Sequence, residues 1–281
     1  MTITAQMVMD LRKRTGVGMS KCKEALSEAN GDIEEAIHIL RKKGIASAVK
    51  KGGRETNEGV VGFAESSSAA YLVEVNAETD FVVQNDRFKE FLQNICDEVA
   101  NTNPETVEAF LQQKYSKNDT LTIDEYRAEI VQTLGENIQI KRFQGFKKQG
   151  DCSLGIYSHM GGKIVCLVEI KGAGDQQNLA KEVAMHVAAE SPEYLKPEDV
   201  PADVLAKEEE IAKSQIQNKP PEIVDKIVKG KINAYYEQAC LVNQKFVKDP
   251  SKSVAAYVAD EGKKAGKTLE VVAFARWQIG E

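Results

Sequence analysis

The side chains best suited to acid–base chemistry are three histidines, and they are widely separated along the chain. His38, His159 and His186 belong to no HExxH, GxSxG or cysteine–histidine signature. His186 falls in an apolar helical stretch, which favours a packed histidine of the core. A hydrolase or transferase that pairs His186 with a nearby carboxylate is the enzymatic alternative. We expect instead a protein that is not an enzyme.

Residues 262–268 resemble a phosphate-binding loop at first sight. Three residues separate Gly262 from Gly266, however, where the P-loop has four. A P-loop also follows a strand and opens a helix, whereas here a predicted helix comes first and a strand follows. The segment is therefore interpreted as a helix C-terminus with Gly266 in the turn, and no nucleotide or other cofactor is predicted.

The cysteines indicate neither a disulfide framework nor a metal site. They are odd in number, widely scattered and contain no CxxC pair: Cys22, Cys96, Cys152, Cys166 and Cys240. We expect them to be buried as small hydrophobic residues in a reducing compartment. No metal-binding residues are predicted.

The segment Thr79, Asp80, Phe81 and Val82 has two interpretations. In the structural one, Thr79 or Asp80 caps a helix and Phe81 packs inward. In the functional one, a turn between a strand and a helix presents an aromatic wedge and a carboxylate to a partner, because functional groups concentrate on loops held by rigid elements. The residues alone leave both open.

Three short helices must lie at the N-terminus. Thr4 and Ser20 are predicted to cap the first two helices, and Asp32 with Glu35 forms a capping-box-like start for the third, which Gly44 should end.

Charge is unevenly distributed along the chain. Residues 1–54 carry 11 Lys and Arg against 6 Asp and Glu, whereas the remainder carries 26 against 37. The basic head suggests an acidic partner surface or nucleic acid, and the alternative is a solvated basic face with no partner. The acidic remainder argues against general RNA binding, so no direct nucleic-acid contact is expected. Residues 50–54 are predicted to be a flexible tether.

Beyond residue 54 the pattern indicates an α+β core with an internal duplication. Two strands around 59–75, a helix carrying Phe88 and Phe91, and later a strand near 138–143 form a first subdomain. Residues 72–75 recur as 167–170, an offset of 95, within a second strand–strand–helix unit. A charged helical hairpin is predicted between them and the C-terminus, with a turn at residues 218–221.

The sequence predicts no membrane span and no leader, so a cytoplasmic location is expected. The longest strongly apolar stretch, residues 164–170, has the length of a strand and contains Glu169. The first 15 residues include Asp10, Arg12, Lys13 and Arg14 where a signal peptide would need apolar residues.

Several segments together resemble the elongation factor Ts family. The match lies in residues 15–19, 22–26, 30–32, 79–82, 135–138, 185–189 and 250–252, in the expected order and spacing over nearly the whole chain. The resemblance implies a three-helix ubiquitin-associated-like N-terminal domain, then a core of two related α+β subdomains with an inserted helical hairpin. The domains would be 1–54 and 55–281, the latter divided into 55–143, 144–190 with 229–281, and the insertion 191–228.

The same resemblance implies a translation factor that binds elongation factor Tu in its GDP-bound and nucleotide-free states. It implies that Thr79, Asp80, Phe81 and Val82 dislodge the magnesium ion of that partner. It also implies that Arg12, Met19 and Lys23 form the N-terminal docking surface, and that His159 is a core contact. The alternative is a ubiquitin-associated-like adaptor without exchange activity, which leaves the 79–82 segment without a role.

Overall fold

The computed structural model of the chain describes residues 3–216 and 220–281. Two compact units divide these residues: one reaches Lys147 and includes Ile279–Glu281, and the other spans Lys148–Gln278. Each unit combines helices with an antiparallel three-stranded sheet, so the predicted α+β class is confirmed.

The first unit begins with a bundle of three helices that has its own small core. The helices are α1 (Ala5–Thr15), α2 (Met19–Glu28) and α3 (Ile33–Lys51). As predicted, the side chains of Thr4 and Asp32 cap α1 and α3. The predicted cap of α2 is wrong, because Gly18 is the N-cap and Ser20 lies inside the first turn. Leu11, Leu26 and Leu40 are buried together at the centre of the bundle.

The rest of the first unit packs helices against one face of a sheet. Its elements are β1 (Glu58–Glu65), β2 (Ala69–Ala77), α4 (Asp80–Gln84), α5 (Asp86–Thr102), α6 (Val107–Gln112), β3 (Lys114–Tyr115), β4 (Asn118–Thr122), α7 (Ile123–Leu134) and β5 (Ile138–Lys147). The sheet has the order β1-β2-β5, and β3 pairs with β4 in a short hairpin. Thr122 and Glu125 form the predicted capping box of α7. Phe88 and Phe91 of α5 are fully buried against the sheet.

The predicted end of α3 at Gly44 is wrong, because the helix continues to Lys51 and packs on α7. A glycine inside a helix costs about 1 kcal/mol relative to alanine. A Cβ on Gly44 would lie 2.8 Å from Oε1 of Gln132, the mobile end of a side chain, and 3.6 Å from the Ala128 carbonyl oxygen, so α3 passes close to α7 here. One turn later, Ala48 belongs to the core of the sheet region. Lys50 and Lys51, predicted to open a flexible tether, are therefore helical.

The second unit has a similar arrangement with two additional helices. Its elements are β6 (Cys152–His159), β7 (Ile164–Lys171), α8 (Gln177–Glu190), α9 (Ala202–Ser214), α10 (Pro221–Ala239), β8 (Lys245–Phe246), β9 (Asp249–Ser253), α11 (Val254–Lys264) and β10 (Glu270–Gln278). The sheet order is β10-β7-β6. Helices α9 and α10 pack against each other as the predicted inserted hairpin. Of its predicted turn, Asn218 and Lys219 lie outside the described residues.

The duplication extends further than the sequence pattern indicated. Strands β2 and β7 correspond at the predicted offset of 95, and everything from β3 and β8 onward corresponds at an offset of 131. The difference of 36 residues arises where α9 and α10 are inserted. At the larger offset the corresponding residues are alike: Tyr115 and Phe246, Tyr126 and Tyr257, Gly135 and Gly266, Phe143 and Phe274. We call the two copies the first and second repeats.

Three other features bear on the expectations from sequence. All five cysteines are free and buried. No helix within the described ranges is both long and apolar enough to cross a membrane. The domain boundaries at residues 54, 143, 190 and 228 stay predictions.

Candidate functional site

The 79–82 turn joins the central strand of the first sheet to a short helix. Strand β2 ends at Ala77, and α4 begins at Asp80. Thr79 is the N-cap of α4, and its Oγ1 accepts a hydrogen bond from the Val82 backbone N–H at 3.4 Å. The capping half of the structural interpretation therefore describes the local backbone.

The other half of that interpretation, in which Phe81 packs inward, is wrong. The inward-facing residues of α4 are Val83, which is buried, and Val82, which packs partly against the core. Phe81 points outward with 84% of its surface exposed, and Asp80 beside it is also exposed. An aromatic side chain gains roughly 2–3 kcal/mol when it is fully buried. Because the Phe81 ring is exposed, this free energy of burial is not gained on folding and is available to a contact outside the chain.

Glu136 holds the turn from behind. Its carboxylate accepts a hydrogen bond from the Thr79 backbone N–H at 3.0 Å and another from Thr79 Oγ1 at 2.7 Å. Hydrogen bonds to an ionised acceptor are roughly twice as strong as neutral ones. The Glu136 carboxylate thus anchors the backbone directly before Asp80 and Phe81 through two hydrogen bonds.

Asp80 retains all its hydrogen-bonding capacity for a partner. Among the described residues, none lies within hydrogen-bond or ion-pair distance of its carboxylate. An exposed carboxylate can accept up to about four hydrogen bonds or attract a cation. Together, Asp80 and Phe81 offer one negative group and one apolar ring on a rigid support.

Arg12, Met19 and Lys23, predicted to form a docking surface, are all exposed on the bundle. Met19 lies in two shallow surface grooves that meet at its side chain. One groove contains Lys23, and the other contains Arg12 and continues to Arg87 at the start of α5. The structure therefore brings the three residues together on one basic surface with an apolar centre.

His159 lies in the second unit, at the end of β6. It is exposed, and its Nδ1 lies 3.1 Å from the hydroxyl of Tyr157. The following residue, Met160, is 71% exposed and has a left-handed backbone with φ of 49°. The tip of the β6–β7 hairpin thus presents an imidazole and an apolar side chain side by side.

His186 is a packed histidine of the second core. Its Nε2 lies 3.0 Å from Oε1 of Gln244, and its Nδ1 accepts a hydrogen bond from the Val247 backbone N–H at 3.2 Å. These partners select the neutral ring that carries its proton on Nε2. Burial lowers the pKa of His186. Both ring nitrogens are used inside the protein, and the ring is completely buried.

The segment that resembled a P-loop has the predicted structure of a helix end. Helix α11 stops at Lys264, and Gly266 adopts φ of +68° in the turn that follows. Lys267, which a P-loop would direct at a phosphate, pairs with Asp175 at 2.8 Å. Within residues 3–216 and 220–281, no three His, Cys, Asp or Glu side chains are arranged to hold a metal ion.

Glu136 is the residue of the site to which sequence reasoning gave no role. It follows Gly135, which ends α7 with φ of +85°. Its partner Thr79 is 57 residues away, so local pattern does not connect them. The available signal was an acidic residue directly after a C-terminal glycine of a helix, which is too common to identify a contact.

Comparisons with known proteins agree on one family. A family model described as elongation factor TS matches residues 78–281. Among relatives named elongation factor Ts, that of Protochlamydia amoebophila is 60% identical over 279 residues and covers 99% of each chain. Those of Chlamydia felis and Chlamydia pneumoniae are 45% and 44% identical over 270 residues, which is 96% of each chain.

Proposed function

The chain belongs to the elongation factor Ts family and acts as a translation elongation factor; we propose that it binds GDP-bound elongation factor Tu and accelerates GDP release. It does so by binding alone and performs no covalent chemistry. The observation that carries the proposal is the exposed Phe81 beside the unpartnered Asp80, on a turn that is already rigid.

A rigid wedge suits a partner that holds magnesium and a nucleotide together. Magnesium requires a nearly octahedral shell of oxygen ligands and tolerates little displacement. An aromatic ring that inserts beside the metal site shifts the surrounding helices and waters, and the carboxylate of Asp80 competes for hydrogen bonds there. The hold on the metal and on the diphosphate weakens together, since each stabilises the other.

Exchange also requires the factor to prefer one state of its partner. If it binds the nucleotide-free partner more tightly than the GDP form, GDP must bind the complex more weakly by the same factor. Equal affinity for both states shifts nothing. The docking surface of Arg12, Met19 and Lys23, and the exposed His159, supply binding energy that is available in both states.

The direct test is the release of a fluorescent GDP analogue from elongation factor Tu with and without this protein. We expect faster release that saturates with the concentration of the factor. We also expect capture of nucleotide-free elongation factor Tu that is reversed by added GDP. Capture that is unaffected by GDP, with no acceleration, would favour the adaptor alternative. No capture and no acceleration would overturn the proposal.

A further inference from the structure

We propose that Glu136 is a positioning residue, which holds the 79–82 turn in the free protein so that Asp80 and Phe81 meet the partner already oriented. The inference rests on the proposed function and adds the contact that keeps the turn of Phe81 rigid. Glu136 itself need not touch the partner, because its carboxylate is occupied by Thr79.

The contact is suited to orientation because it fixes two groups of one residue. The Thr79 N–H and Oγ1 bind separate carboxylate oxygens, at 3.0 Å and 2.7 Å. The same Oγ1 accepts from the Val82 N–H, which connects Glu136 to the first turn of α4. A five-residue helix has little stability of its own. Removing Glu136 should therefore loosen α4 more than any other element.

The residue before Thr79 is tied to the same place. The Asn137 backbone N–H donates to Oε1 of Glu78 at 2.6 Å, and Arg54 pairs with the same oxygen at 3.2 Å. Two consecutive residues of the turn, Glu78 and Thr79, are thus bound by two consecutive residues after α7. This pairing restrains the backbone directly before α4.

The same segment is also joined to the end of the N-terminal bundle. Lys51, the last residue of α3, donates from Nζ to the carbonyl of Gly135 at 2.7 Å. The Asn137 side-chain amide donates to the carbonyl of Arg54 at 2.9 Å. Residues 135–137 therefore connect α3, which packs against the two helices of the docking surface, to the turn that carries Phe81. Two partner contacts joined rigidly lose less entropy on binding than two joined by a tether.

The second repeat shows which contact the residue matching Glu136 makes where no exposed aromatic side chain follows the central strand. Lys267 occupies the place of Glu136 at the offset of 131, and it pairs with Asp175 at 2.8 Å. Asp175 lies shortly after β7, as Asp80 lies shortly after β2, although the second repeat has no short helix there. In the second repeat Lys267 holds the Asp175 carboxylate. In the first repeat Glu136 holds Thr79 and leaves the Asp80 carboxylate free.

The experiment compares Glu136→Ala, Glu136→Gln and Lys267→Ala in the full chain. Glu136→Gln retains both bonds, since its oxygen can accept from the Thr79 N–H and its amide can donate to Oγ1. The first readout is hydrogen exchange of the Val82 and Val83 amides in the free protein. The second is the rate of GDP release from elongation factor Tu, at saturating factor and at half saturation.

For Glu136→Ala we expect roughly 10-fold faster amide exchange at residues 82–83 and roughly 10-fold slower release at saturation. The half-saturating concentration should change by less than about 3-fold, because the docking surface is intact. Glu136→Gln should behave like the parent, and so should Lys267→Ala, which loosens only the second repeat. If a general loss of stability were enough to slow release, the Lys267→Ala control would also release GDP more slowly than the parent.

Parent-like amide protection in Glu136→Ala would overturn the proposal, and so would a loosened turn with parent-like GDP release. Should Glu136→Ala fail to fold, Thr79→Val removes the hydroxyl bonds, keeps the backbone bond and should give intermediate values in both readouts. A parent chain that does not accelerate GDP release would overturn the proposed function. The amide measurement needs no partner, and it would then decide alone whether Glu136 holds the turn.

Discussion

The two repeats hold the turn after their central strand from the same direction but through different groups. In each, a glycine with positive φ follows a helix (α7 or α11), and the residue after that glycine reaches back to the turn beyond the central strand. In the first repeat that residue is Glu136, which binds Thr79. In the second it is Lys267, which binds Asp175.

The difference decides which side chains stay exposed. The second repeat has no counterpart of α4: β7 ends at Lys171 and α8 begins at Gln177. Gln176, directly before α8, is half-buried and donates its backbone N–H to Ser153 Oγ at 2.8 Å. The second repeat thus leaves its central strand without an aromatic side chain, whereas the first presents Phe81 on a short helix of its own.

The first prediction tests this contrast with the largest expected effect. Phe81→Ala should slow catalysed GDP release on the order of 100-fold, as for loss of a central aromatic anchor. Its thermal midpoint should stay near that of the parent, because truncating a core Phe typically costs about 3–5 kcal/mol and this ring is exposed. Stopped-flow release and thermal unfolding measure the two effects.

The control is Gln176→Ala, in the turn after the central strand of the second repeat, which should release GDP like the parent. Chelating free magnesium should narrow the gap between parent and Phe81→Ala, since the step assisted by the ring is then already complete. A variant that unfolds far earlier than the parent, yet exchanges normally once folded, would return Phe81 to a structural role.

The second prediction converts the first repeat into the second. Glu136→Lys should transfer the contact from Thr79 to Asp80, as Lys267 contacts Asp175, and should slow GDP release roughly 30-fold. A crystal structure of the variant should show Nζ within about 4 Å of the Asp80 carboxylate. Unchanged release despite that contact would show that the free carboxylate and the rigid turn are both dispensable.

The duplication could be read from sequence only where similar residues lie close together. The strand residues 72–75 and 167–170 reveal it, and the capping box at Thr122 predicted α7 correctly. The short hairpins β3–β4 and β8–β9 were missed, because strands of two and five residues carry too few residues for alternation to be visible. Their offset is also changed by the inserted helices.

Positions that depend on distant neighbours could not be predicted. The sequence around Gly44 is typical of a helix end. In the structure α7 approaches closely there, and Gly44 lies in the interior of α3. Val83 and not Phe81 is the buried residue of α4, and a helix of five residues is too short for its periodicity to show which face is buried. The contact between Thr79 and Glu136 spans 57 residues, which helical and strand periodicity do not reveal.

The third prediction concerns a glycine that both repeats place opposite the central strand. A Cβ on Gly155 would lie 2.2 Å from the Lys181 backbone nitrogen, whereas one on Gly62 would meet side-chain atoms of Cys96 and Leu92. Side-chain ends can move and a helix backbone cannot, so Gly155→Ala should cost about 3 kcal/mol and Gly62→Ala about 1 kcal/mol. Urea unfolding of the two variants measures the difference, and equal costs would mean that α8 is free to shift outward.

The smallest expected effect concerns the pH dependence of stability, to which His186 contributes in the second repeat. Below pH about 6.5 the unfolded chain protonates His186, whereas the folded protein, in which burial lowers the pKa of that ring, does not. Stability due to this group is thus complete above pH 6.5 and is lost as the pH falls toward the folded pKa, by at most about 1.4 kcal/mol per pH unit. Protonation of Nδ1 would also break the hydrogen bond from Val247.

In His186→Gln the unfolding midpoint should change less between pH 7.5 and 5 than it does in the parent (a range set by the reference pKa of histidine). The control is His38→Gln, at an exposed histidine. A parent-like slope in His186→Gln would place the acid sensitivity outside the second core.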